Sequence, residues 1–116
     1  MWERAALCKR IQEIIIATDN ELIRKTALAF GARCVMTRSD HPNGTSRICE
    51  AVADIDAEII VNVQGDEPLI PVDLINQVAN TLQSKPHCAM ATAAVAIHDQ
   101  SEIANPNAVK VVLSKN

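Results

Sequence analysis

Aromatic side chains are almost missing from this chain: Trp2 and Phe30 are the whole complement, and there is no tyrosine. Single-stranded nucleic acid is held by stacking bases on aromatic rings in a basic groove, and 11 Lys and Arg set against 14 Asp and Glu supply no such groove. No nucleic-acid partner is expected. Glycine is scarce as well. Gly31, Gly44 and Gly65 are all there are, and none belongs to a glycine-rich phosphate loop of either common type. Cys8, Cys34, Cys49 and Cys88 form no Cys-x-x-Cys pair and have no histidine at zinc-like spacing, which favours reduced, mostly buried thiols over disulfides or a zinc knot. Long apolar runs are absent too. Ile14-Ile15-Ile16-Ala17 is strand-sized, against the roughly 20 residues a membrane helix needs. The opening Met1-Trp2-Glu3-Arg4 has neither the charge order nor the apolar block of a signal peptide. No membrane insertion and a cytoplasmic location follow as expectations. Asn43-Gly44-Thr45 matches a glycosylation sequon, which without secretion is a coincidence of a polar loop.

What is present is a chain of 116 residues, 48% hydrophobic, enough for a single core. Its apolar periodicity alternates between helix and strand. Residues 2–9 read as the tail of a helix and 13–18 as a buried strand. Asp19 or Asn20 caps a helix whose inward stripe is Leu22, Ile23, Ala27 and Phe30, with Gly31 as its stop. A short strand over 33–37 leads into a polar segment, after which Ile48, Ala51, Val52 and Ile55 have helical spacing. A strand near 59–63 follows. Pro71 opens another helix, with Asp73 complementing its dipole and Ile75, Val78, Ala79 and Leu82 facing the core. Two last strands, over 89–97 and 108–113, flank a turn-rich stretch from Asp99 to Asn107. Strands alternating with helices predict an α/β, Rossmann-like fold with a mostly parallel sheet covered on both faces.

The most informative run is Glu58-Ile59-Ile60-Val61-Asn62-Val63-Gln64-Gly65-Asp66-Glu67-Pro68, an apolar strand that ends abruptly in a glycine, two acids and a proline. In open α/β sheets ligands gather beyond the carboxyl ends of strands, so Asp66 stands where a metal-bound phosphate or a substrate would lie. Taken alone, an aspartate there is more often an Asx-turn residue than a metal ligand. Arg38 and Arg47 are by default solvated, and Asp19 reads as a helix cap. His41, His87 and His98 show no partner and read as loop or strand-edge residues.

Four blocks together carry a resemblance: Ala17-Thr18-Asp19; Thr37-Arg38-Ser39-Asp40-His41-Pro42-Asn43-Gly44-Thr45-Ser46-Arg47; Val61 through Pro68; and Asn105-Pro106-Asn107-Ala108-Val109-Lys110-Val111-Val112. In order and spacing the chain closely resembles the 3-deoxy-manno-octulosonate (Kdo) cytidylyltransferases, the CMP-Kdo synthetase family. The resemblance implies an incomplete, three-layer, Rossmann-like nucleotide-diphospho-sugar transferase fold, with residues 1–116 a partial cytidylyltransferase domain. It implies transfer of CMP from CTP to Kdo with release of pyrophosphate, for lipopolysaccharide biosynthesis. Small-molecule substrates and Mg2+ are thereby implied, and a homodimer is left open.

By the same resemblance Asp66 becomes the metal ligand and, with Gln64, a catalytic residue; Arg38, Asp40, Asn43, Gly44 and Arg47 become the nucleotide-binding set. Backbone groups near Asn43 and Gly44 would read the cytosine edge without aromatic stacking. Ser46 departs from the acid many family members carry there. Family members also begin with a strand and a basic triphosphate loop, and continue into a sugar-acid pocket with a second metal-binding aspartate. Neither part is in this sequence, so the chain is expected to be a fragment that is inactive alone. The rival readings are a non-catalytic nucleotide-binding fragment of the same fold and a related sugar-acid nucleotidyltransferase.

Overall fold

A computed structural model describes residues 1–114. Seven elements follow in order: α1 (Trp2–Ala6), β1 (Ile15–Thr18), α2 (Glu21–Ala29), β2 (Arg33–Met36), α3 (Gly44–Ala51), α4 (Val72–Gln83) and α5 (Gln100–Ala104). β1 and β2 run parallel, in a register that sets Ile15 against Arg33 and Thr18 against Met36. One further backbone bond, Thr37 N–H to the Thr18 carbonyl at 2.9 Å, carries the pairing to the end of both strands. The β1–α2–β2 crossover is the unit expected from the alternating periodicity.

Its ends are set by local chemistry. Asn20, in an extended backbone conformation, accepts from the Leu22 and Ile23 N–H groups at 2.8 and 3.3 Å and so satisfies two donors that the first helical turn leaves without partners. Asn20, and not Asp19, is therefore the cap. At the other end Gly31 takes φ 82°, with its N–H on the Leu28 carbonyl and the Ala32 N–H on the Ala27 carbonyl. That is a Schellman turn, and a side chain at Gly31 would strain it.

A small core joins the rest. Ala5, Cys8 and Ile75 are buried between α1 and α4, with Ile11, Ile14, Val61, Val63, Ile70 and Val72 packed around them. The Cys8 thiol donates to the Asn76 side-chain oxygen at 2.8 Å, tying the turn after α1 to α4. All four cysteines are free, Cys8 buried and Cys49 exposed.

Three expected strands do not form. Residues 59–63 keep the period-2 signature, with Ile59, Val61 and Val63 turned inward and Ile60 and Asn62 outward, but the segment has no ladder partner among the described residues. Residues 89–97 and 108–113 are likewise unpaired. Apolar alternation selects which side chains face a core, whereas a strand also needs a neighbour's N–H and C=O groups. Among the described residues the sheet thus has two strands, and the expected three layers are present only in part. Val109 is 95% exposed, and Val95, Val112 and Leu113 are similarly open. The radius of gyration, 16.0 Å, exceeds the roughly 13 Å of a compact chain this long. Within the stretch expected to be all turn, Asp99 accepts from the Ser101 N–H at 2.8 Å and starts the short helix α5, too brief for periodicity to reveal.

Candidate functional site

The site lies where β1 and β2 end. Beyond β2 the chain runs through Arg38 to Asn43 and enters α3, and Asn43 is the cap of that helix: its side-chain oxygen accepts from the Ser46 N–H at 2.9 Å. Capping draws α3 back to Gly44, four residues ahead of the first apolar stripe position, Ile48. One face of α3 therefore carries Ser46, Arg47 and Glu50 toward the loop.

Arg47 is the tie between the strand ends. Its guanidinium donates to the Asp19 carboxylate at 3.1 Å, to the Thr37 hydroxyl at 2.7 Å and to the Arg38 carbonyl at 3.3 Å. Only 20% of the side chain is exposed, so these bonds are shielded more than a surface pair would be. Asp19, read from sequence as a cap, is instead the acidic anchor for this arginine.

Glu50 makes a second hub. Its carboxylate accepts from the Arg38 N–H at 3.2 Å and the Arg38 Nε at 3.4 Å, and it meets Nε2 of His41. The other ring nitrogen, Nδ1, lies 3.2 Å from the Ser46 hydroxyl. The bond to His41 is the largest influence on the Glu50 carboxyl; desolvation opposes it, and the weaker bonds from Arg38 add to it, so the group is held below the ordinary glutamate range. Asp40 stands 3.8 Å from Arg38 Nε. Glu50 escaped the sequence reading, and His41, expected to be a partnerless loop or strand-edge residue, has partners at both ring nitrogens. The available signal was spacing: Ser46 and Glu50 are an i, i+4 pair on one face of α3, five and nine residues beyond a histidine in a short loop.

The third component comes from the 64–68 turn. The Gln64 amide sits directly over Gly44: a Cβ at Gly44 would lie 3.0 Å from Gln64 Oε1 and 3.3 Å from Nε2. Gln64 also donates to the Asn62 side chain at 2.9 Å. The Glu67 N–H closes on the Gln64 carbonyl at 3.3 Å, which places Gly65 and Asp66 at an exposed tip. Thus Arg38, Asp40, Asn43, Gly44 and Arg47 share one loop and helix start, and Gln64 touches it. Asp66 extends from the same turn without an ion pair among the described residues.

Among the described residues no three His, Cys, Asp or Glu side chains converge as a metal cage. A lone exposed carboxylate does suit Mg2+, which keeps most of its waters and takes its remaining ligands from substrate phosphates.

The cytidylyltransferase family model matches residues 1–116. The chain belongs to the cytidylyltransferase family. Relatives named 3-deoxy-manno-octulosonate cytidylyltransferase include one from Francisella philomiragia, 48% identical over 119 residues, covering 100% of this chain and 47% of the relative. Another, from Hahella chejuensis, is 48% identical over 112 residues, covering 94% of this chain and 43% of its own length. The chain therefore spans less than half the length of these relatives. A solved structure of CMP:2-keto-3-deoxy-manno-octonic acid synthetase complexed with CTP superposes with a TM-score of 0.70 at 34% identity, over 73% of this chain and 35% of that one. The family and the incomplete α/β, Rossmann-like fold inferred from the four motif blocks agree with these matches. Among the described residues no helix is long and apolar enough to cross a membrane.

Proposed function

We propose that residues 1–116 are part of a cytidylyltransferase domain that moves CMP from CTP to Kdo, releasing pyrophosphate, in the cytoplasmic synthesis of lipopolysaccharide precursors. The observation that carries this reading is the seating of Gln64 on Gly44, which joins the polar loop and the acidic turn at one end of the β1–β2 pair. The names of the relatives and the CTP complex of the solved structure support the substrate pair.

In this reading the sugar-acid hydroxyl attacks the α-phosphate and pyrophosphate leaves, and the protein contributes alignment and charge neutralisation. Backbone groups of Asn43 and Gly44 present donors and acceptors to the cytosine edge, and the absence of a Cβ at Gly44 leaves room for the Gln64 amide beside them. Arg38, 69% exposed, offers its guanidinium to phosphate oxygens, with Asp40 beside it limiting its swing. Arg47 keeps the loop in register with Asp19 and Thr37. Gln64 donates its amide to a phosphate or sugar-acid oxygen. Asp66 is the residue that would hold Mg2+, which when bound offsets charge on the phosphates.

A second reading is favoured by the short span and the loose packing: by itself the chain binds nucleotide without turning it over. Titration of the purified chain with CTP and UTP, followed by amide shifts in residues 38–47, tests the nucleotide site. Selective shifts with CTP are expected, and no shifts with either would sink the nucleotide reading. CMP-Kdo formation from CTP, Kdo and Mg2+ is expected to be absent, and robust turnover would overturn the view that further segments are needed.

A further inference from the structure

We propose that His41 and Glu50 are positioning residues that aim Arg38 at a nucleotide phosphate, an inference that rests on the nucleotide reading above. The His41 side chain is only 5% exposed, although it belongs to a polar surface loop. Its two nitrogens meet different partners. Ser46 has one hydroxyl proton, and its oxygen lies 2.9 Å from the Asn43 carbonyl, which can only accept. That bond fixes the Ser46 hydroxyl 3.2 Å from His41 Nδ1. On the far side of the ring, the Glu50 carboxylate also only accepts. Held at both nitrogens in this way, the ring is a buried strut between α3's first turn and Glu50.

The strut has a directional effect on Arg38. Glu50 takes the Arg38 N–H through Oε1 and its Nε through Oε2, while Arg47 takes the Arg38 carbonyl. Arg38 is thus gripped on both sides of its own backbone and at the root of its guanidinium, yet the side chain remains largely exposed. An ordinary exposed ion pair contributes little and fixes little, because two long side chains lose rotamer freedom in making it. Here a nearly buried histidine stiffens one partner. A cation held in that way is prepared for a charged ligand at the strand ends, and the ligand chemistry is a phosphate group of a nucleotide.

The test uses this chain with CTP and with cytidine, which has the base and ribose but no phosphate. Glu50→Gln, isosteric with the native residue, is expected to weaken CTP binding about tenfold, the effect of one lost charge-assisted hydrogen bond, while leaving cytidine binding unchanged. His41→Asn is expected to act in the same direction, and both variants should shift the Arg38 Nε–H resonance in the ligand-free protein. In an Arg38→Ala background, Glu50→Gln should add no further loss. Equal losses for CTP and cytidine, or additive losses in the double variant, would overturn the proposal. An unsubstituted chain that binds neither ligand would remove the nucleotide reading itself, and this inference with it. A chain that binds both, with unaltered Glu50→Gln affinities, would remove this inference alone.

Discussion

Replacing Gly44 by alanine separates a recognition role from a folding role. The added methyl would lie 3.0 Å from Gln64 Oε1 and 3.3 Å from Nε2, a few tenths of an ångström too close for comfort. Those atoms end a flexible side chain, so the amide swings away while the backbone stays. The displaced Gln64 gives up its bond to Asn62, about 0.5–1.5 kcal/mol at most for an exposed pair. Gly44 begins α3 and is not among the positive-φ residues, so alanine fits its backbone and restricts the unfolded chain, returning roughly 0.4–1 kcal/mol. The two effects nearly cancel, and the melting midpoint should move by no more than a few degrees. Nucleotide binding has no such compensation. The methyl narrows the approach to the loop backbone and the Gln64 amide leaves it, and one hydrogen bond to a charged group is worth about 1.5–3 kcal/mol, or tenfold and more in affinity. Calorimetric CTP titration beside thermal melting by circular dichroism reads both quantities, and Gly44→Val should show the larger binding loss. An unchanged CTP affinity in a folded Gly44→Ala protein would refute the reasoning and place the base elsewhere.

In a chain extended to the relatives' full length, Asp66→Asn should leave the fold intact, since the side chain sits at an exposed tip, but raise the barrier to turnover by several kcal/mol; normal rates across a Mg2+ titration would make Asp66 a turn residue only. The pKa of Glu50 is lowered from its ordinary 4.5, so the folded loop favours the carboxylate. Its contribution is complete above that ordinary value and is lost as pH falls through the depressed one. Protection of the Arg38 amide, measured relative to the intrinsic exchange rate at each pH, should therefore fall on acidification below pH 4.5 and stay level above it, and Glu50→Gln should abolish that acid limb. The unpaired apolar residues Val109, Val112 and Leu113 should drive concentration-dependent association in sedimentation experiments, and a monomer at all concentrations would show that they are covered.

Much of this protein was legible in order along the chain because its determinants are local. The β1–α2–β2 unit follows from a β-branched run, an Asn cap and a glycine at the position where φ turns positive, each acting within a few residues. The motif blocks named the family for the same reason, and they contained Arg38, Asn43, Gly44, Arg47, Gln64 and Asp66. Ile59 to Val63 kept its alternating pattern without becoming a strand, since pattern belongs to the segment while hydrogen-bond partners belong to its neighbours. Only the tertiary structure decided that Asp19 anchors Arg47 instead of capping α2, that His41 is a nearly buried strut on Glu50, and that Gln64 lies across Gly44. Those pairings span nine to 28 residues. At such separations a charged or polar side chain has many partners of the right chemistry, and only the packing of α3 against the strand ends selects which one it meets.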